Sequence, residues 1–126
     1  MKVLVPVTVA TFVGVCIGAT GVEVLKAQTK PPVYAVGEID VRDPEGYSKE
    51  YVPLARASIK AHGGQYLAAG SAIGIDGDPP KRLVILKWES LDQLKAWRYS
   101  PEYMKTRAIG EKFATYRVVA IEGMSQ

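Results

Sequence analysis

Lys81-Arg82-Leu83-Val84-Ile85-Leu86-Lys87-Trp88-Glu89 is the stretch on which the fold turns. It is short, rich in β-branched and aromatic side chains, and bounded by turn chemistry: Asp76-Gly77-Asp78-Pro79-Pro80 before it and Ser90 after it. That combination predicts a strand over 81–89 rather than a buried helix. Side chains alternate along a strand, so Val84, Leu86 and Trp88 share one face while Leu83 and Ile85 share the other. A strand that is apolar on both faces belongs in the middle of a sheet that is covered on both sides.

Reading upstream, Gln65 to Ile75 is a second strand, with Gly70 and Gly74 marking a bulge or a close backbone approach. The proline-containing turn joins it to the third as a hairpin. Before it, Val33 to Arg42 alternates and predicts the first strand. Asp43-Pro44-Glu45 then starts a helix, with an acceptor at the cap, proline in the first turn and an acid against the dipole. Tyr47, Tyr51, Leu54, Ser58 and Ile59 form its inner face, and Pro53 predicts a kink or break near Tyr51. His62-Gly63-Gly64 closes the helix.

Downstream, Ser90-Leu91-Asp92-Gln93 is a capping box that opens a short helix carrying Leu91, Leu94 and Trp97 on one side. Ser100-Pro101-Glu102 repeats the start signal, predicting a helix from about Pro101 to Phe113, and Tyr116 to Glu122 is the last strand. The order β-α-β-β-α-α-β is the split βαβ plan of an α+β, ferredoxin-like βαββαβ antiparallel sheet. Its helices cover one face only. The second apolar face of the third strand then needs a mate, and a two-fold copy of the same chain supplies one most simply, which predicts a homodimer.

Composition narrows the function. Apolar residues make up 48% and charged residues 23%, a globular balance. Of 16 basic and 13 acidic residues, Lys2, Lys26 and Glu23 lie in the first 27, leaving 14 against 12 in the remainder. Such a mixed surface carries no nucleic-acid footprint. Cys16 is the single cysteine and His62 the single histidine, so a disulfide framework, a thiol nucleophile in the domain and a zinc site are not expected.

The first 27 residues read separately. Lys2 precedes an uncharged run from Val3 to Val22, and Leu25-Lys26-Ala27-Gln28 follows. This is the pattern of a secretory signal cut after Ala27, although Leu25 is large for its position relative to the cut. The alternative is an uncleaved anchor over residues 3–22 in the inner membrane, since about 20 apolar residues span a bilayer. In both cases the domain is exported, periplasmic or secreted, with the membrane met only through this segment. Residues 28–32 form a linker, and residues 33–124 the domain.

The domain resembles a known family in several short motifs taken in order: Glu38-Ile39-Asp40-Val41, Asp43-Pro44-Glu45 with Tyr47, Ala61-His62-Gly63-Gly64 with Tyr66-Leu67, Ser100-Pro101-Glu102-Tyr103, and Glu122-Gly123. They are similar to those of the domain of unknown function 1330 family, from about Val33 to Met124. The resemblance implies a dimeric α/β barrel, in the superfamily of small monooxygenases, muconolactone isomerase and haem peroxidases. It implies no particular reaction.

Candidate chemistry is sparse. His62 is either a general base, a haem ligand, or a cap that complements the helix dipole. Glu38 and Asp40 share a strand face, with Arg82 and Lys87 as expected partners, so Glu38 is either a cleft acid or base or half of an ion pair. Tyr47, Tyr51, Tyr66, Trp88, Trp97, Tyr99 and Tyr103 either pack the core or line a pocket for a flat organic ligand. Tyr47, Tyr66, Arg82, Trp97 and Tyr103 are the candidates for such a lining. The expectation is an exported dimer binding a small hydrophobic or aromatic ligand and requiring no cofactor. The alternatives are a cofactor-independent enzyme, monooxygenase- or isomerase-like, using His62 and Glu38, and a haem-associated protein.

Overall fold

The computed structural model describes residues 30–125, so the apolar N-terminal segment and its expected signal or anchor role lie outside the described residues. Among the described residues no helix is long and apolar enough to cross a membrane. The chain runs β1 (Val33–Val41), α1 (Pro44–Gly46), a π-helical turn (Tyr47–Tyr51), α2 (Val52–Ala61), β2 (Gln65–Ser71), β3 (Arg82–Trp88), α3 (Leu91–Arg98), α4 (Pro101–Gly110) and β4 (Ala114–Glu122). The four strands form one sheet in the order β2-β3-β1-β4 with every neighbouring pair antiparallel. This is the expected ferredoxin-like plan, with β3 and β1 in the middle.

The caps work as their residue types dictate. Asp43 accepts from Gly46 N–H at 3.1 Å, Ser90 Oγ from Gln93 N–H at 3.1 Å and Ser100 Oγ from Tyr103 N–H at 3.1 Å. At the end of α2, Gly63 takes the left-handed conformation (φ +86°), and Gly64 N–H donates to Ile59 O while Gly63 N–H donates to Lys60 O. These are the two bonds of a Schellman ending, which only glycine enters without steric cost.

Pro53 does not break the helix. The chain from Pro44 to Ala61 is continuous, and the π turn just before the proline absorbs the defect: Val52 N–H reaches five residues back to Tyr47 O. An α-register bond to Lys49 O would need the N–H that Pro53 lacks. Three element ends also differ from expectation. β2 stops at Ser71 rather than Ile75, because its partner Arg82 is where β3 begins, leaving Ile73 and Ile75 exposed in the loop. α4 ends at Gly110 rather than Phe113, and β4 begins two residues earlier, at Ala114.

Register sorts the two faces. The helix-covered face carries Val33, Ala35, Gly37 and Ile39 of β1 opposite Trp88, Leu86, Val84 and Arg82 of β3. Trp88 is the largest fully buried side chain, stacked on Trp97 at 5.2 Å, with Tyr103 beyond it at 4.2 Å. The open face carries a row of Ile85, Val36 and Val119 across three strands, and next to it a row of Lys87, Tyr34 and Ile121. Ile85 and Val36 are only half-buried, while Val119 is 54% and Ile121 61% exposed. The apolar second face anticipated from β3 is present and uncovered within one chain.

The expected ion-pair partners were mistaken. Arg82 lies opposite Ile39 on the helix-covered face, and Lys87 lies opposite Tyr34. Glu38 faces Leu83 on one side and Arg117 on the other, and its ion pair is with Arg117 at 3.4 Å, while Asp40 pairs with Lys81 at 3.1 Å. Period two put both carboxylates on one face correctly, but the cross-strand neighbour depends on a register that spacing alone does not supply.

Candidate functional site

A cleft lies between the helices and the covered face of the sheet, and tyrosines make most of its wall. The π turn sets Tyr47 and Tyr51 side by side, ring centres 5.1 Å apart. The Ser100 cap starts α4 so that Tyr103 turns inward, and Trp97 arrives from the last turn of α3. Tyr66 on β2 and Tyr116 on β4 close the two sides, with Gly37 in the floor. The enclosed space is small, about 50 Å³. It exists partly because Gly37 has no side chain: a methyl group there would meet nothing nearer than Val84 O at 3.8 Å. That volume holds a few waters, whereas a single benzene ring needs on the order of 150 Å³. A ring therefore enters only if a wall side chain moves, and the partly exposed ones include Tyr66, at 38% on edge strand β2, and Val118, at 41% on edge strand β4.

The polar groups of the cleft are phenols. The Tyr51 and Tyr103 hydroxyls share a 2.6 Å hydrogen bond. The Tyr116 hydroxyl is buried beside Tyr51, with no hydrogen bond of ordinary geometry. Trp97 is held from behind, its indole N–H donating to Ser58 Oγ at 3.0 Å, and Ser58 Oγ–H donating to Ala55 O at 3.0 Å. Burial raises the pKa of Tyr47, Tyr51 and Tyr116 above the usual phenol value and pushes Tyr66 up to about 12. Arg82 beside Tyr47 and Arg56 beside Tyr66 pull the other way, and desolvation wins. At neutral pH the cleft thus offers neutral O–H donors and aromatic faces, and no phenolate.

An arginine stands over each of four cleft tyrosines: Arg56 over Tyr66 (5.4 Å to the ring centre), Arg82 over Tyr47 (5.8 Å), Arg98 over Tyr103 (5.7 Å) and Arg107 over Tyr116 (3.9 Å). These are cation–π distances. They also hold the rings in orientation from outside the cleft.

Of the residues singled out in the sequence, the structure brings Tyr47, Tyr66, Trp97 and Tyr103 together in the cleft wall and sets Arg82 beside Tyr47. Glu38 lies on the opposite face of the sheet, half-exposed and paired with Arg117. It borders a wide depression of about 590 Å³ whose Glu38, Asp40, Lys81 and Arg117 are already ion-paired and solvated. His62 ends α2, its Nδ1–H donating to Ser58 O at 2.7 Å, and it is not among the residues lining the cleft. The pair His62 and Glu38 is therefore not assembled. Nor does a cleft of about 50 Å³ without a histidine in its wall fit a porphyrin. Sequence reasoning passed over Gly37, Tyr116, Arg98 and Arg107. Tyr116 has a signal in hindsight, since period two places it on the same face as Val118 and Ala120.

Fold and cleft together define an α+β protein of ferredoxin-like type with an aromatic cleft under its helices. The chain belongs to the DUF1330 family, domain of unknown function, whose family model matches residues 32–124. No curated protein matches it. Among solved structures it is similar to RPA0582, a protein of unknown function from Rhodopseudomonas palustris, at 13% identity over 75% of this chain and 82% of that one, with a TM-score of 0.60. It is similar to SnoaB, a cofactor-independent oxygenase from Streptomyces nogalater, at 13% identity over 76% and 96% of the two chains, with a TM-score of 0.59. A dimeric protein of unknown function and ferredoxin-like fold from Bacteroides fragilis matches at 16% identity over 73% and 96%, with a TM-score of 0.50.

Proposed function

We propose that the protein is an exported homodimer that binds a small aromatic ligand in the tyrosine cleft of each subunit. The observation that carries the ligand reading is the wall itself: Tyr47, Tyr51, Tyr66, Trp97, Tyr103 and Tyr116 surround a small cavity whose floor is an unfilled glycine. The phenol hydroxyls of that wall can donate to a ligand's polar atom. The aromatic walls supply the apolar contact area. The dimer rests on the apolar rows of the open face, and the likeness to a dimeric ferredoxin-like protein supports it. Export rests on the apolar N-terminal segment.

A second reading, cofactor-independent oxygenation, is favoured by the likeness to SnoaB. In it the cleft tyrosines face the substrate, not His62 and Glu38. The test of binding is a titration with phenol and benzyl alcohol, followed at the Trp97 indole N–H resonance. Saturable shifts that disappear in Gly37→Leu, with Gly37→Ala folded and still binding, are expected. Binding that survives Gly37→Leu unchanged refutes the cleft as the site.

A further inference from the structure

We infer that the ligand of the cleft is an anion, a flat apolar molecule carrying a carboxylate, with its ring among the tyrosines and its carboxylate held by Arg98 and Arg107. This rests on the cleft reading and names the chemical class of its ligand. The observation is a second depression, about 340 Å³, between α3, α4 and β4. Lys95, Arg98 and Arg107 line it and no acidic residue does. It neighbours the cleft, since Trp97 and Val118 line both.

Among the described residues the three cations have no acidic partner. The ion pairs among the described residues are Lys49 with Glu45, Lys81 with Asp40 and Arg117 with Glu38, and none involves this cluster. The Arg107 guanidinium carbon stands 3.9 Å over the Tyr116 ring centre, with Nε buried and without a hydrogen-bond acceptor. Lys95 and Arg98 occupy the last turn of α3 and Arg107 the last turn of α4, where cations complement the helix dipole. That role explains a cation at each helix end. It does not explain their convergence on one acid-free depression, nor a guanidinium nitrogen buried without an acceptor, which is costly unless something accepts from it. A guanidinium presents its donors as a planar fork that a carboxylate matches with two bonds. Arg82 also has a buried, unpartnered Nε at the Tyr47 end, with Arg56 nearby over Tyr66, and is the rival anchor that the test has to separate from Arg98 and Arg107.

Benzoate and benzamide, alike in shape and unlike in charge, decide the matter on the full chain. The Trp97 indole N–H resonance reports binding, and Lys105→Gln serves as a control that removes one positive charge from the exposed side of α4. Benzoate is expected to bind about tenfold or more tightly than benzamide, the size of a charge-assisted hydrogen bond. Arg98→Gln with Arg107→Gln should erase that preference while benzamide still binds, and Lys105→Gln should leave it intact. Equal binding of the two probes, unchanged in the double variant, overturns the anion assignment and leaves the cleft reading standing. Loss of the preference in Arg82→Gln instead overturns the placement of the carboxylate. If benzoate binding depends on Arg98 and Arg107 but is indifferent to Gly37→Leu, the anion site survives and the cleft reading falls. Failure of both probes to bind overturns both.

Discussion

Ser58→Ala removes a single oxygen from a residue with no solvent exposure, and that oxygen serves two partners. It accepts from the Trp97 indole N–H and donates to Ala55 O, both at 3.0 Å. Without it the indole N–H is buried with nothing to receive it, at a cost of about 1–3 kcal/mol. The lost bond to Ala55 O adds about 0.5–1.5 kcal/mol, and alanine's better helix propensity returns about 0.5 kcal/mol. The net expectation is about 2 kcal/mol. For a domain of this size each kcal/mol shifts Tm by roughly 4–8 °C, so thermal unfolding at fixed protein concentration should show a fall of about 8–16 °C. The cause is isolated by repeating the change in a Trp97→Phe background, where no indole N–H is left to strand. There Ser58→Ala should cost less than about 1 kcal/mol, giving a coupling of at least about 1 kcal/mol. Equal costs in the two backgrounds, or a neutral Ser58→Ala, would refute the reasoning.

Two further outcomes follow from the same cleft. Gly110→Ala adds a methyl that would collide with the Tyr116 hydroxyl and lie 2.5 Å from Tyr51 Cδ1. Alanine's helix advantage of about 1 kcal/mol should be outweighed by overpacking of about 1–3 kcal/mol, and urea unfolding should show a net loss of stability, with an unchanged or stabilised variant counting against the packing described. Above pH 10 an unfolded chain releases phenolic protons that the folded chain retains, because burial raises Tyr47, Tyr51, Tyr66 and Tyr116. The stability from these burials is complete below pH 10 and falls as pH rises toward the folded values. Ultraviolet titration should then show a late step near pH 12 from Tyr66 that Tyr66→Phe abolishes.

Most of the architecture was legible because the punctuation was local. Asp43-Pro44, Ser90, Ser100-Pro101 and Gly63-Gly64 each act on hydrogen bonds within a few residues, and each does in the fold what its residue type predicts. The consequence of Pro53 was legible only in part. A missing donor can be met by a break or by a wider turn, and the packing of Tyr47 and Tyr51 against the core accompanies the wider turn. The apolar residues of the cleft were visible as aromatic composition. Of its arginines Arg82 was singled out, but Arg98 and Arg107 were not, since they meet Tyr103 and Tyr116 through tertiary packing that spacing does not encode. The ion-pair partner of Glu38 was illegible for the same reason: alternation gave its face, and only the strand order gave Arg117 as its neighbour.

The whole account begins from a β3 strand that is apolar on both sides, and its open side is the row of Ile85, Val36 and Val119. Sedimentation velocity of the wild-type chain and of Val119→Glu at matched concentrations measures that directly. The account predicts a wild-type dimer, and a folded monomer when a carboxylate is placed in the middle of the row. A wild-type chain that stays monomeric and soluble at high concentration, or a dimer indifferent to Val119→Glu, would contradict it.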